Sequence, residues 1–260
     1  MNELTHAGFF EGIGGFSLGA NRVGIKTIYT CELDDFRHNW LKHILPDSKH
    51  EKDITKAIGC YADIYTSGFP CQDVSRANPK GKGINGARSG LYYVFMEHVR
   101  NFRPGYVVLE NSTFIISKGY LLGILGDFAS IGYNAEWQTL SKHSIGYPDE
   151  RERFFLVAYS NKIGCTKGYT IFNKKSYEKC VKTLKQNEFI FNKLGRKNSL
   201  NDWIEFITGI LQNDAGLPKE LVKNHIAAYG DSVCPDLAQL IFQLIKLHYE
   251  SIQTPLECFL

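Results

Sequence analysis

No apolar stretch in the 260 residues approaches the roughly 20 needed to cross a bilayer, and the opening MNELTHAGFF shows no basic region followed by an apolar run. Neither membrane insertion nor secretion is therefore expected. The seven cysteines, at 31, 60, 71, 165, 180, 234 and 258, form no CxxC pair, so neither a disulfide framework nor a zinc site is expected, no metal is called for, and a reducing cytosol fits best. Internal repeats and low-complexity tracts are absent. Hydrophobic residues at 43% and charged residues at 22% are ordinary globular values. At roughly 150 residues per domain the length predicts one large domain, or one with a small appendage.

Charge is nearly balanced at +3, but not evenly spread. Between 161 and 200 ten Lys or Arg face only Glu178 and Glu188, giving that segment +8 and the remainder −5. Such asymmetry suits a polyanion meeting one part of the molecule, although a solvated lysine-rich surface gives the same count.

The first 158 residues read as alternating strands and helices. Leu4 to Phe10 is an apolar run ending in Glu11-Gly12-Ile13-Gly14-Gly15, after which Phe16 to Val23 can form a helix. Thr27 to Cys31 stops at Glu32, and Tyr61 to Thr66 runs into Ser67-Gly68-Phe69-Pro70, where Gly and Pro break regular structure. Leu91, Val94, Phe95, Val99 and Phe102 follow helical spacing, with Ser89 as N-cap and Pro104-Gly105 as the stop. Tyr106 to Leu109 and Arg153 to Tyr159 look like strands covered on both faces. The alternation predicts an α/β fold with a largely parallel sheet. Composition turns polar and basic from Ser160 to about Gly216, where a small second domain (160–216) is expected; 217–260 then completes the first domain, 1–159, through a helical stripe at Leu237, Leu240, Ile241, Leu244, Ile245 and Tyr249 that begins near Pro235.

Chemistry-bearing residues fall at strand ends. A glycine-rich turn after the first strand leaves the next helix's N–H groups free, and Glu32 ends the second strand, where it could accept from ribose hydroxyls; a nucleoside-bearing cofactor is the inference, a tight turn and a surface acid the plainer one. Cys71 lies just beyond a strand's C-terminal end, the edge where open α/β sheets bind ligands. It is a candidate nucleophile or a small buried apolar group. Glu110-Asn111 brings a carboxyl group to the same edge, suggesting nucleophilic attack with acid assistance. Arg151 and Arg153, two apart at the opening of a strand, share one face and could hold a base carbonyl, a phosphate or that carboxyl, or simply face water.

In order, Phe10 to Phe16, Glu32, Asp53-Ile54, Gly68-Phe69-Pro70-Cys71-Gln72, Arg88-Ser89-Gly90-Leu91, Glu110-Asn111-Ser112, Arg151-Glu152-Arg153 and Gly230-Asp231-Ser232-Val233-Cys234-Pro235 resemble the cytosine-C5 DNA methyltransferase family. The resemblance leaves only the basic 160–216 insert unmatched. It implies a Rossmann-like methyltransferase sheet with helices on both faces, plus a small basic target-recognition domain. It also implies S-adenosylmethionine as cofactor, double-stranded DNA as partner, and a monomeric cytoplasmic enzyme of bacterial or phage origin. Cys71 would attack C6 of a flipped cytosine, Glu110 would serve N3 and the exocyclic amine, Arg151 would hold O2, and Arg153 would brace the site by pairing with Glu110 or the backbone. Phe10, Gly12, Ile13, Gly14, Gly15, Glu32, Asp53, Ile54, Pro70, Leu91, Asp231, Ser232 and Val233 would bind cofactor. Gln72, Ser75, Lys174, Lys175, Lys179 and Lys182 would contact DNA. The sequence departs from the family pattern at Glu11 (usually Ala or Ser), Asp149 (usually Gln), Asp231 (usually Asn) and the Ser112 of ENS (commonly Val). The same chemistry on tRNA and a catalytically retired DNA-binding relative are the competing readings; intact Cys71, Glu110 and Arg151 count against the second.

Overall fold

The computed structural model describes residues 3–70, 90–145, 150–163, 170–185 and 232–253. Its first element, β1 (Thr5–Phe9), is the short apolar run that opens the chain, and Gly14 at φ 95 turns the backbone into α1 (Gly15–Arg22) in a left-handed conformation that side-chain-bearing residues avoid. β2 (Lys26–Cys31) follows, then α2 (Asp35–Ile44), whose N-cap Asp34 accepts the Arg37 N–H at 3.0 Å. Next come β3 (Lys49–Glu51), β4 (Ile64–Ser67), α3 (Gly90–Phe102), β5 (Tyr106–Ser112), the single-turn α4 (Phe114–Ser117), α5 (Leu121–Ser130), β6 (Tyr133–Ser141) and β7 (Glu152–Ser160). Helices α6 (Lys174–Lys185) and α7 (Pro235–Gln253) complete the described elements.

The seven strands form one sheet in the order β3-β2-β1-β4-β5-β7-β6. All pairings from β3 to β5 are parallel, and only β7 runs against its neighbours. The predicted largely parallel α/β sheet is present, with helices on both faces. On one face Phe95, Met96, Val99, Ile124 and Phe128 from α3 and α5 pack on Phe9, Tyr65, Val107 and Leu109. On the other, Phe16 and Ala20 of α1 and the apolar stripe of α7 pack on Ile64, Val108, Phe155 and Val157. This two-sided burial explains why β5 and β7 read as continuous apolar runs.

The basic segment begins differently from its composition. Ile171, Cys180 and Leu184 are buried in the same core as α7, and the N–H groups of Ile171 and Phe172 donate to Glu136 of β6 at 3.1 and 3.4 Å. Residues 170–185, inside the expected segment 160–216, therefore pack on α7 and β6. Lys174, Lys175, Lys179 and Lys182 stay on the outer, exposed side of α6. Residues 164–169 and 186–216 of the expected segment lie outside the described residues. Among the described residues no helix is long and apolar enough to cross a membrane, and no group of His, Cys, Asp and Glu could hold a metal ion.

Candidate active site

The parallel strands β1, β4 and β5 end together, and chain reversal at each end delivers one motif. After β1 the backbone turns at Phe10, whose φ of 54 is the left-handed region that costs a side-chain-bearing residue about 1 kcal/mol or more. Strain of that kind gathers at functional sites. The turn that follows is tied down by Gly14 N–H donating to the Glu11 carbonyl at 3.1 Å, and Trp40 of α2 donates its indole N–H to the Ile13 carbonyl at 3.1 Å. At the end of β2, Glu32 accepts the Gly12 N–H at 2.8 Å and the Asp34 N–H at 3.1 Å. One backbone bond to each oxygen leaves lone pairs available to hydroxyl donors.

Gly15 packs directly under the carbonyl of Val233, so closely that a Cβ there would overlap it and approach the Ser232 hydroxyl. The predicted closing motif and the glycine-rich turn, some 218 residues apart in sequence, are thus in contact. Asp53 accepts from Thr55 N–H and hydroxyl at 3.0 and 2.7 Å, which hold its carboxyl below the ordinary range. Ile54 is 5% exposed within the core, so its side chain supports the region from beneath. Leu91, at the start of α3, is half-buried against that core.

Glu110 occupies the last turn of the pleat on β5. In the antiparallel β5–β7 register it lies opposite Phe155, while Ser112 lies opposite Arg153, so Glu110 and Arg153 project from one face. The Arg153 Nε stands 3.1 Å from Glu110 Oε1. β7 begins at Glu152, which places Arg151 just before the strand, yet its charge still acts on Glu110. Burial pushes the Glu110 carboxyl up to about 7, against the pull of Arg153 and then Arg151. It is the balance expected of an acid that holds its proton near neutral pH. A Cβ at Gly68 would lie 3.6 Å from both Glu110 Oε2 and the Phe10 carbonyl, so the turns after β1 and β4 lie close to the Glu110 carboxyl.

Asn111 points to the opposite face. Its side-chain amide donates to the Phe69 carbonyl at 2.9 Å and its oxygen accepts the Ser112 N–H at 2.8 Å. ENS therefore places an acid on one side and clamps the Gly68-Phe69-Pro70 loop on the other. Pro70 is the last described residue of that loop; Cys71, Gln72, Ser75, Asp149 and Asp231 lie outside the described residues. Two groups were missed by sequence reasoning. Asn111 as a clamp carries no sequence signal beyond adjacency to Glu110, and Glu11, read only as a departure, is fully enclosed behind the turn.

A profile of the C-5 cytosine-specific DNA methylase family matches residues 4–227. Over 160 residues the chain is 32% identical to the type II methyltransferase M2.BsuMI of Bacillus subtilis, covering 57% of this chain and 40% of that one. With the type II methyltransferase M.HindV of Haemophilus influenzae it shares 31% identity over 159 residues, covering 58% and 52%. The chain thus spans about half the length of these relatives. Among solved structures, the Entamoeba histolytica methyltransferase EhMeth superposes with a TM-score of 0.64 at 15% identity, covering 98% of this chain and 100% of that one. The S. pombe Dnmt2 methyltransferase gives 0.61 at 14%, covering 97% and 100%. At such identities the likeness speaks for the Rossmann-like methyltransferase fold alone. Matched across most of its length, and with its strand-end motifs gathered at one sheet edge, the chain belongs to the C-5 cytosine-specific DNA methylase family.

Proposed function

We propose that the protein is a DNA cytosine-C5 methyltransferase that works on a base flipped out of the duplex through a covalent adduct with Cys71. The observation that carries the reading is Glu110, a largely buried carboxyl poised near pH 7 and paired with Arg153, beside the loop that leads to Pro70-Cys71-Gln72.

C5 of cytosine is a poor nucleophile in an electron-deficient aromatic ring. Addition of the Cys71 thiolate to C6, with Glu110 giving its proton to N3, converts the ring to an enamine whose C5 is electron-rich. S-adenosylmethionine, when bound, supplies an electrophilic methyl group on a sulfonium sulfur. Loss of the C5 proton to a base and expulsion of the Cys71 thiolate, with N3 returning its proton to Glu110, then restore the aromatic ring. Arg151 holds the O2 carbonyl, and Arg153 keeps the Glu110 carboxyl aimed while opposing its full neutralisation. The base must leave the stack to be reached, at a cost of a few kcal/mol.

The residues at the glycine-rich turn suit that cofactor. Glu32 has lone pairs left for ribose hydroxyls, and a carboxyl-bearing turn favours a cationic ligand over a pyrophosphate. Phe10, Gly12, Ile13, Gly14, Gly15, Asp53, Ile54, Pro70, Leu91, Asp231, Ser232 and Val233 would complete the pocket. Gln72, Ser75 and the exposed lysines of α6 would meet DNA, while residues 186–216 would read the target. The relatives' naming as type II methyltransferases supports a modification enzyme acting in the cytoplasm.

The test is methyl transfer to duplex DNA and, in parallel, to tRNA, followed by bisulfite sequencing. Methylcytosine in DNA is expected, with a denaturant-stable adduct on duplexes containing 5-fluorocytosine that disappears in Cys71→Ala. Methylation of tRNA alone, or turnover by Cys71→Ala, would overturn the reading.

A further inference from the structure

Glu11 departs from the pattern the chain resembles, and the structure gives it a specific place. It leaves the end of β1 and folds back behind the glycine-rich turn, only 3% exposed. Its Oε1 accepts the Ser17 N–H at 2.8 Å and the Ser17 hydroxyl at 2.7 Å. Ser17 is the third residue of α1, whose N–H an N-cap side chain ordinarily takes, but the N-cap position holds Gly14. Glu11 thus supplies from inside the fold the acceptor that glycine lacks. Its Oε2 is buried without a hydrogen-bond partner and fills the space left by the missing side chain of Gly8.

The turn is held from the other side by Glu32, which accepts the Gly12 N–H and whose charge acts on Glu11. Around Glu11, β1 carries His6, engaged by the hydroxyls of Thr27 and Thr66 at 3.0 and 2.8 Å, and α1 carries Arg22, paired with Asp236 of α7. At the head of α2, Asp34 donates its N–H to Glu32, and Arg37 faces Glu32.

We propose that Glu11 is a positioning and charge-selecting residue of the cofactor pocket: its carboxyl fixes the glycine-rich turn on α1 and, when ionised, weights the pocket toward a ligand with a positive sulfonium over the same ligand with a neutral sulfur. The proposal rests on the S-adenosylmethionine reading above. A carboxylate with one oxygen lacking any donor keeps an uncompensated field, and Coulomb interactions persist where water is excluded. Substrate and product of the proposed reaction, S-adenosylmethionine and S-adenosylhomocysteine, differ by one unit of charge at the sulfur. Burial pushes Glu11 up to about 7; the two Ser17 bonds oppose the rise and Glu32 adds to it, so its charge changes between pH 6 and 8.

Calorimetric titration with each of the two nucleosides at pH 6 and pH 8 tests this without turnover. The wild type is expected to prefer S-adenosylmethionine at least about threefold more at pH 8 than at pH 6, from one charge–charge interaction across a partly screened distance. Glu11→Gln keeps an acceptor for Ser17 but cannot ionise, so its preference should change between pH 6 and pH 8 by less than half as much as that of the wild type, the change that remains belonging to Glu110 and Glu32, whose carboxyls burial also raises. Glu11→Ser, a smaller replacement, should agree with it. A wild-type preference that does not change with pH, or a pH dependence as large in both variants as in the wild type, overturns the proposal. Wild-type protein that binds neither nucleoside would remove the cofactor reading itself.

Discussion

Glu110→Gln separates what the site needs from what the fold would prefer. A carboxyl raised from an ordinary 4.5 to about 7 binds its proton more tightly folded than unfolded, so between those values the native state carries a proton that the unfolded state has lost. Stability therefore falls as pH rises from 4.5 to 7, and the whole loss is present above 7. At 1.36 kcal/mol per unit the loss approaches about 3 kcal/mol, a fair scale because the side chain is only 14% exposed. Glutamine mimics the protonated form at every pH. Chemical denaturation at pH 5 should show the variant and the wild type close together. At pH 8 the variant should be the more stable by about 2–3 kcal/mol, or by roughly 6 °C in melting temperature for a chain of this size. Methyl transfer should meanwhile be lost, since the amide has no proton to give N3. A variant less stable than wild type at pH 8, by as much as at pH 5, would show that the Arg153 ion pair outweighs the burial cost and that the Glu110 carboxyl is not held near 7.

Other expected outcomes concern the frame. Burial lowers His6 to about 3, so it stays neutral in the fold while the unfolded chain protonates near 6.5; stability should drop by up to about 2 kcal/mol between pH 6.5 and 5, and urea unfolding of His6→Gln should lack that drop. A Cβ at Gly19 would stand 2.6 Å from that of Ala238 and 2.7 Å from the Gln239 nitrogen, so Gly19→Ala should destabilise by about 1–3 kcal/mol, despite the better helix propensity of alanine, as α1 is forced off α7. Gly15→Ala should weaken S-adenosylmethionine binding in calorimetry by more than about tenfold, roughly 1.4 kcal/mol, because the Val233 backbone must move. Asn111→Ala should slow formation of the 5-fluorocytosine adduct more than it lowers the melting temperature, since it frees the Phe69 carbonyl and with it the loop that carries Cys71.

The elements that were legible in the sequence are those buried on two faces or stopped by Gly and Pro. β1, β5, β7, α3 and α7 announce themselves through apolar runs or helical spacing. β3 does not: Lys49, His50 and Glu51 carry no apolar signal, and the strand exists through its backbone pairing with β2. β6 sits at the sheet's edge with Trp137 and Gln138 exposed, which spoils the alternation a half-covered strand would show. In α5, Gly123 and Gly126 depress helix propensity, and burial of Leu121, Ile124 and Phe128 overrides them. α6 misleads by composition, because its exposed lysines outnumber the inward Cys180 and Leu184 that tie it to α7. At the site, motif order was legible, and the Arg153–Glu110 pair stood in the sequence only as one of several partners open to Arg153. That Arg153 meets Glu110 depends on the register of an antiparallel pair formed across 40 residues of intervening chain. That Glu11 caps α1 depends on a side chain entering from behind the turn.

The two carboxyls raised to about 7, Glu11 and Glu110, bear on each other's interpretation. Glu11 follows β1 and Glu110 lies near the end of β5, burial is the chief cause of both shifts, and each would cost about 3 kcal/mol at pH 8, together a large part of the 5–15 kcal/mol that a typical fold retains. A chain does not need either cost to fold, since an uncharged residue at position 11 and an amide at 110 would satisfy the same backbone. For Glu110 the family's chemistry accounts for the cost. Glu11 has no such account, and a purely structural role predicts that its uncharged replacements leave the selection between the two nucleosides untouched. The comparison of pH 6 with pH 8 therefore decides whether the second buried acid belongs to the reaction or only to the turn.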